Sequence, residues 1–142
     1  METNSPSAAS PAVEPVTPAP RLAGPSGIFL AEELTILGNG ESGVVDVGTL
    51  AGKLLSVVLG IQQSVEQQSL EVTIWGSTDG ETWPEKPLLQ FPQKFYAGVS
   101  ELLLNLEPEL EVRFVKAKWA ANRWGRGAAT PNFHAYLFLR PA

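Results

Sequence analysis

Eight short apolar runs, separated by turn-forming residues, constrain this chain more than any other feature. Clusters of Gly, Pro, Asn and Asp lie between them, and few windows keep the period of a helix. The runs span residues 28–37, 43–48, 53–64, 69–77, 86–91, 100–106, 110–121 and 133–140. Strands at this spacing predict an all-β protein, either a sandwich or a barrel. In the first run, the AEEL segment would also suit a helical turn.

The N-terminal 26 residues have a different composition from the rest of the 142-residue chain. They hold 6 of the 12 prolines, together with many Ala and Ser and no aromatic residue. Such a segment cannot bury enough apolar surface to offset the entropy lost on ordering. We therefore expect a disordered, partly polyproline tail at 1–26 and a single β-domain at 27–142. A docking peptide is the alternative function for the tail.

Alternation along the longer strands assigns their faces. Residues of one parity are uniformly apolar in three runs, which predicts their direction toward a core. These residues are Leu55, Val57, Leu59, Ile61, Leu70, Val72, Ile74, Phe133, Ala135, Leu137 and Leu139. In the run at 110–121, Leu110, Val112 and Phe114 lie opposite Val115 and Trp119. Both faces of that strand are apolar.

Several strands thus carry a second face rich in aromatic and basic residues. The candidates for this face are Trp75, Arg113, Trp119, Tyr136, Phe138 and Arg140. If they point outward, they form an aromatic patch, and such patches usually mark interaction surfaces with Trp, Tyr and Arg as hot spots. Burial of the same face under loops and the 28–37 segment is the competing interpretation.

Three motifs occur in a fixed order along the chain: DVG at 46–48, STDGETW at 77–83 and VRFVKAKW at 112–119. In that order they resemble the discoidin family, the coagulation-factor type C domains, over residues 42–140. The resemblance implies an eight-stranded antiparallel jelly-roll sandwich, and carbohydrate binding as a function. It assigns no ligand-binding residue, because the matched positions carry the fold. Asp79 and Gly80 favour a tight turn with positive φ, and Trp83 is expected to close the sandwich end.

Catalytic chemistry has few candidate residues in this sequence. The chain has one histidine, His134, on a predicted strand, and no cysteine. It has no zinc-protease, hydrolase-elbow, P-loop or Rossmann motif. The glutamates around Pro108 and the carboxylate of Asp79 are typical of solvated turns. We therefore predict no enzymatic activity, no cofactor and no metal site, with a glycosidase-like or esterase-like enzyme as the disfavoured alternative.

The segment at 119–132 is the second candidate for binding. Trp119, Arg123, Trp124 and Arg126 alternate aromatic and basic character among glycines. Stacking and cation–π contacts suit a sugar ring, a base or a carboxylate on a partner. The net charge of −5 argues against nucleic acid. A long loop pinned to the sandwich by Trp124 is the alternative structure.

Charge is distributed unevenly along the chain. Residues up to 110 carry 14 acidic and 4 basic side chains, and those from 111 carry 1 acidic and 6 basic ones. This asymmetry indicates an anionic partner, or head-to-tail contact between copies, or internal pairing between neighbouring strands. The N-terminus lacks the features of a signal peptide, and no apolar run is long enough to span a bilayer. We expect a cytoplasmic protein, or one assembled in a particle, that does not contact membranes.

The sequence as a whole predicts a non-catalytic β-sandwich that binds a protein partner or associates with itself. A structural or decoration-like component of a larger, phage-like particle fits this description, and a glycan-binding module is the alternative. The candidate binding residues are Trp75, Arg113, Trp119, Arg123, Trp124, Arg126, Tyr136 and Phe138.

Overall fold

The computed structural model describes residues 19–125 and 130–142, which fold into ten β-strands in two sheets. The strands are β1 (Arg21–Leu22), β2 (Ile28–Ile36), β3 (Gly40–Glu41), β4 (Val45–Asp46), β5 (Leu54–Ser64), β6 (Gln68–Ser77), β7 (Leu89–Gln90), β8 (Gly98–Asn105), β9 (Phe114–Arg123) and β10 (Phe133–Pro141). One short 3-10 helix spans Gly48–Leu50. Over the described ranges, no helix is long and apolar enough to cross a bilayer. The all-β prediction is confirmed, and the segment at 28–37 is a strand.

The two sheets differ in size. The six-stranded sheet has the order β1-β4-β9-β6-β7, with β3 also paired to β9, and the four-stranded sheet has the order β2-β10-β5-β8. β1 and β4 are parallel, and the other named pairs are antiparallel. One hydrophobic core joins residues from both sheets.

The predicted core faces agree with the structure. Alternate residues of β5, β6 and β10 are buried, from Leu55 at 0% exposed to Ile61 at 4%. β9 directs Val115 and Ala117 into the core, and Trp119 packs partly buried against it. Alternation leaves every second side chain of these strands on an outer face, so each sheet has a surface on which a site can be built.

The strand count is ten rather than eight. The two additional strands, β1 and β3, have two residues each, too few for a periodic pattern to be detected. Three predicted strands are shorter than expected. Within 43–48 and 86–91 only Val45–Asp46 and Leu89–Gln90 are strands, and β9 begins at Phe114 because a turn precedes it, in which Val112 N–H donates to Glu109 C=O at 3.1 Å.

The described sandwich includes residues that the sequence assigned to the tail. Arg21 and Leu22 pair with Val45 and Asp46, and Ala23 is 5% exposed with its N–H donating to Asp46 C=O at 2.8 Å. The boundary predicted at residue 26 is therefore too late in the chain. Pro and Gly residues flank β1, so the sequence there does not indicate a strand, and the strand forms through its pairing with β4. Residues 1–18 of the predicted tail lie outside the described residues.

Candidate protein interaction surfaces

The predicted aromatic candidates do not form one patch. Trp75 lies on the outer face of the six-stranded sheet, whereas Trp119, on the neighbouring strand, packs against the core. Tyr136 and Phe138 lie on β10 in the other sheet. Where a strand is apolar on both faces, as β9 is, sequence alternation does not indicate which face lies toward the core. The structure therefore places these residues in three separate locations: the outer face of each sheet and the margin of the core.

A row of aromatic side chains crosses the outer face of the four-stranded sheet. The Phe29 and Phe138 rings meet edge to face with centroids 4.7 Å apart, and Tyr136 follows with its centroid 6.3 Å from that of Phe29. The Tyr136 ring lies over Gly60 of the adjacent strand, where a Cβ atom would approach it to 2.1 Å. All three aromatic side chains are partly buried. Phe29 was not a predicted candidate, because its strand reads as a possible helical turn.

The apolar surface continues from this row to the opposite edge of the sheet. On β8, Val99 is 69% exposed and Leu103 is 60% exposed. Glu101 lies between them, accepting hydrogen bonds from Arg140 at 2.7 Å and from Ser56. We call the side chains of Phe29, Tyr136, Phe138, Val99 and Leu103 the outer apolar face. A patch of this kind on a sheet surface is typical of protein contacts.

On the outer face of the six-stranded sheet, lysines cover the tryptophan rings. The Lys118 ammonium lies 4.5 Å from the Trp75 ring centroid, and the Lys116 ammonium lies 4.3 Å from that of Trp83. Trp75 Nε1 also donates to Thr73 Oγ1 at 2.8 Å. Lys118 and Thr73 of the same chain thus supply contacts to Trp75, one of the predicted binding residues. A ring with one face occupied by an ammonium is a poorer stacking site for a ligand.

Internal pairing accounts for part of the uneven charge. Basic residues of the last quarter bond to acidic residues of the body in three ion pairs of the described chain: Arg113–Asp46 at 3.3 Å, Lys116–Glu41 at 3.1 Å and Arg140–Glu101 at 2.7 Å. Arg113 and Arg140 are thus each engaged by a carboxylate. These contacts agree with the interpretation that the uneven charge reflects ion pairing between strands of the same chain.

A second aromatic cluster lies where β9 ends. Trp124 is 47% exposed, and its ring centroid lies 6.3 Å from that of Phe95 in an edge-to-face arrangement. Phe95 also contacts Tyr96, which is 81% exposed. Arg123 donates to the backbone carbonyls of Glu66 and Thr130, so it holds loops together. The remaining predicted residue, Arg126, lies outside the described residues.

The Asp79–Gly80 turn is confirmed, with φ of 78° at Gly80. Asp79 Oδ1 accepts the backbone N–H groups of Glu81 and Thr82, each at 2.8 Å, and Ser77 Oγ donates to Thr82 C=O at 2.6 Å. These backbone donors lower the pKa of Asp79 from 3.8 to about 2. The turn borders an open cavity of about 700 Å³. The carboxylate is engaged in shaping the turn.

The described residues place few chemically reactive groups together. His134 lies within β10, opposite Thr35 and Gln63 of the neighbouring strands. Among the residues in the two described ranges, no group of three or more His, Cys, Asp and Glu side chains is arranged to hold a metal ion. The outer apolar face and the aromatic cluster around Trp124 remain as the surfaces best suited to binding.

Comparisons with known proteins give similarity at the level of fold. No protein-family model and no curated protein matches the chain. A chain in the structure of infectious bursal disease virus, Gt strain, superposes with a TM-score of 0.54 and 15% identity, covering 81% of this chain and 32% of that one. The Gx strain gives a TM-score of 0.53 and 16% identity over 81% and 31%. This chain therefore spans about one third of the viral chains it resembles, and the similarity shows the fold alone.

Proposed function

We propose that the chain is a non-catalytic structural module that assembles through protein–protein contacts into a larger particle. The observation that carries this proposal is the outer apolar face. In an isolated domain this side of the four-stranded sheet would contact water, yet it presents an aromatic row together with Val99 and Leu103. Covering such a surface with another protein removes apolar area from water and favours association.

The strand order supports a jelly roll as the fold of this module. We infer it from the eight strands that remain when β1 and β3 are set aside. Taken in chain order, the four-stranded sheet holds the first, eighth, third and sixth of them, and the other sheet holds the second, seventh, fourth and fifth. This alternation between sheets is how two Greek keys interleave in a jelly roll, an architecture that viral capsid and lectin domains use.

Two further observations favour a structural role over catalysis. The aligned solved structures are chains of a virus, which fits a component of a particle. The single histidine lies within β10, opposite Thr35 and Gln63 of the neighbouring strands, a position typical of a structural side chain. Fold similarity alone does not assign function, so the proposal depends on the surface of this chain.

The mass of the purified 142-residue chain in solution tests this proposal. Size-exclusion chromatography with multi-angle light scattering should give a mass above the 15.2 kDa of one chain, rising with concentration. Replacing Phe138 with Ser should lower that mass, whereas Leu110→Ser, at an exposed turn position away from the outer apolar face, should not. A mass of one chain at every concentration up to millimolar would contradict self-assembly.

Carbohydrate binding, which the discoidin resemblance implies, is the second candidate. The observation that favours it is the exposed cluster of Phe95, Tyr96 and Trp124, since aromatic rings stack on sugars. A glycan array tests it directly. Reproducible hits that disappear in a Trp124→Ala variant and persist in a Trp75→Phe variant would support it, and an array without hits would contradict it.

A further inference from the structure

The strand β8 forms one edge of the four-stranded sheet, with β5 as its single strand neighbour among the described residues. It pairs with β5 without a register shift from Leu54↔Asn105 to Ile61↔Gly98. A sheet edge exposes unpaired backbone N–H and C=O groups that can accept another strand.

The hydrogen bonds at the end of β8 identify which backbone groups are free. Leu106 N–H donates to Lys53 C=O at 2.9 Å, in continuation of the β5–β8 register. Leu54, the partner of Asn105, instead directs its C=O to β10, where it accepts from Ala142 N–H at 3.2 Å. Hydrogen-bonded and non-hydrogen-bonded pairs alternate along an antiparallel ladder. The residues whose N–H and C=O point away from β5 are therefore Val99, Glu101, Leu103 and Asn105.

The other sheet edges carry the features by which proteins prevent edge pairing. The edge strands of the six-stranded sheet, β1 and β7, have two residues each. The second edge of the four-stranded sheet, β2, has irregular pairing with β10 at two points and exposes the adjacent carboxylates of Glu32 and Glu33. Short strands, bulges and charges all discourage edge pairing. β8 has eight residues in regular pairing, no Lys or Pro, and one charge that Arg140 already binds.

We propose that β8 is a self-association site, at which β8 of a second copy of this chain adds in antiparallel orientation to form one continuous eight-stranded sheet. The inference deepens the proposed function, on which it rests, by naming a second copy as the partner and the sheet edge beside the outer apolar face as one contact. A two-fold axis perpendicular to the sheet keeps the outer apolar faces of both copies on the same side, so Val99 and Leu103 of the two copies form one surface. Self-complementary contacts of this type are typical of symmetric dimers.

Charge and hydrogen bonding select the register of this pairing. Centring the axis on Glu101 would place two carboxylates directly opposite each other, which is destabilising. Centring it on Leu102 places Glu101 opposite Leu103 of the second copy, and Val99 opposite Asn105 of the second copy. This register also uses all four residues whose backbone groups are free, and each such pair exchanges two N–H···O bonds.

A second copy suits this edge better than the N-terminal segment of the same chain. Residues 1–18 contain Pro6, Pro11, Pro15 and Pro18, which leave no run longer than five residues without proline. Proline lacks the N–H that a ladder requires, so this segment cannot pair along the whole of β8. The β8 segment GVSELLLN contains no proline, so each of its residues retains the N–H that a ladder requires.

Charge substitutions at Leu103 test the pairing and its register. In the 142-residue chain, Leu103→Glu should raise the dimer Kd by about tenfold or more, because a carboxylate then lies opposite Glu101 of the other copy in both symmetry-related pairs. Leu103→Lys should retain the dimer, since the ammonium then faces that carboxylate. Leu37→Glu, at a position 55% exposed just after β2, the strand at the opposite edge of this sheet, serves as the matched control. Sedimentation velocity gives Kd, and thermal unfolding confirms that each variant is folded.

Cross-linking gives an independent readout in a chain without native cysteine. A mixture of Val99→Cys and Asn105→Cys proteins should form a disulfide-linked dimer under mild oxidation, whereas a mixture of Val99→Cys and Leu103→Cys should do so at least several-fold more slowly. If Leu103→Glu and Leu103→Lys weaken the assembly equally, or if neither changes it, the β8 pairing is wrong, while the proposed function stands. A wild-type chain that stays monomeric overturns both.

Discussion

Arg140 of β10 donates a hydrogen bond of 2.7 Å to the Glu101 carboxylate on β8, across the intervening strand β5. Ser56 of β5 donates to the same carboxylate, so three neighbouring strands meet at one acidic group. Arg140 first, and then Ser56, hold the pKa of Glu101 below its ordinary value of 4.5. The pair is about half exposed, at 46% and 45%, and water and salt weaken it accordingly.

The first prediction concerns the titration of Glu101. Replacing Arg140 with Gln should raise the pKa of Glu101 toward its ordinary value, which NMR titration of the carboxyl carbon measures. Because the folded-state pKa is lowered, the stabilisation is fully present above the unfolded-state pKa and is lost as pH falls through the folded value. Arg113→Gln, which removes the ion pair with Asp46 instead, should leave the pKa of Glu101 unchanged. Identical titration of Glu101 in wild type and Arg140→Gln would contradict the assignment.

The second prediction concerns acid destabilisation of the Asp79 turn. Asp79→Asn should lower the thermal midpoint at neutral pH, because the carboxylate that accepts two backbone N–H groups is lost. The pKa of Asp79 is lowered from 3.8 to about 2, so the difference from wild type should persist above the first value and close as pH falls toward the second. Melting curves at several pH values measure it. Glu81→Gln is the control, since Glu81 contributes its N–H to the turn. A difference independent of pH would be inconsistent with this charge effect.

The features that the sequence predicted correctly are local ones. Asp79 and Gly80 specify a tight turn through their own backbone preferences, and the turn forms as expected with positive φ at Gly80. Alternation in β5 and β10 predicted the core because each strand has one face of uniformly apolar residues. In these places a few neighbouring residues determine the structure without reference to the rest of the chain.

The features that could not be predicted depend on pairing between distant segments. β1 exists because Val45 and Asp46 pair with it, and nothing within Arg21–Leu22 specifies a strand. Trp119 faces the core while Trp75 faces outward, because the sheet, rather than the strand, decides which side is covered. The aromatic row needs Phe29 and Tyr136 from opposite ends of the chain to meet. The candidate surface thus combines predicted residues with ones that only topology brings together.

The third prediction tests the connection from β1 to β2. Gly27 has φ of 118°, and a Cβ atom there would lie 2.3 Å from the Leu139 backbone carbonyl oxygen. Gly27→Ala should therefore lower the free energy of unfolding by about 1–3 kcal/mol, measured by urea denaturation. Gly24→Ala is the matched control, because a Cβ there meets nothing within 4 Å. Equal stability of the two variants would argue against a pinned turn ahead of β2.

The last prediction tests the aromatic row by a double-mutant cycle. Phe29→Leu and Phe138→Leu should show a coupling free energy of about 0.5–1.5 kcal/mol, because their edge-to-face contact, with centroids 4.7 Å apart, adds to area burial. Urea unfolding of wild type, both single variants and the double variant measures this quantity. A parallel cycle of Phe138→Leu with Phe91→Leu, which is buried in the core rather than part of the row, should be closer to additive. If the two cycles give the same coupling, the Phe29–Phe138 contact has no specific energetic role, and the outer apolar face is held in place by strand pairing alone.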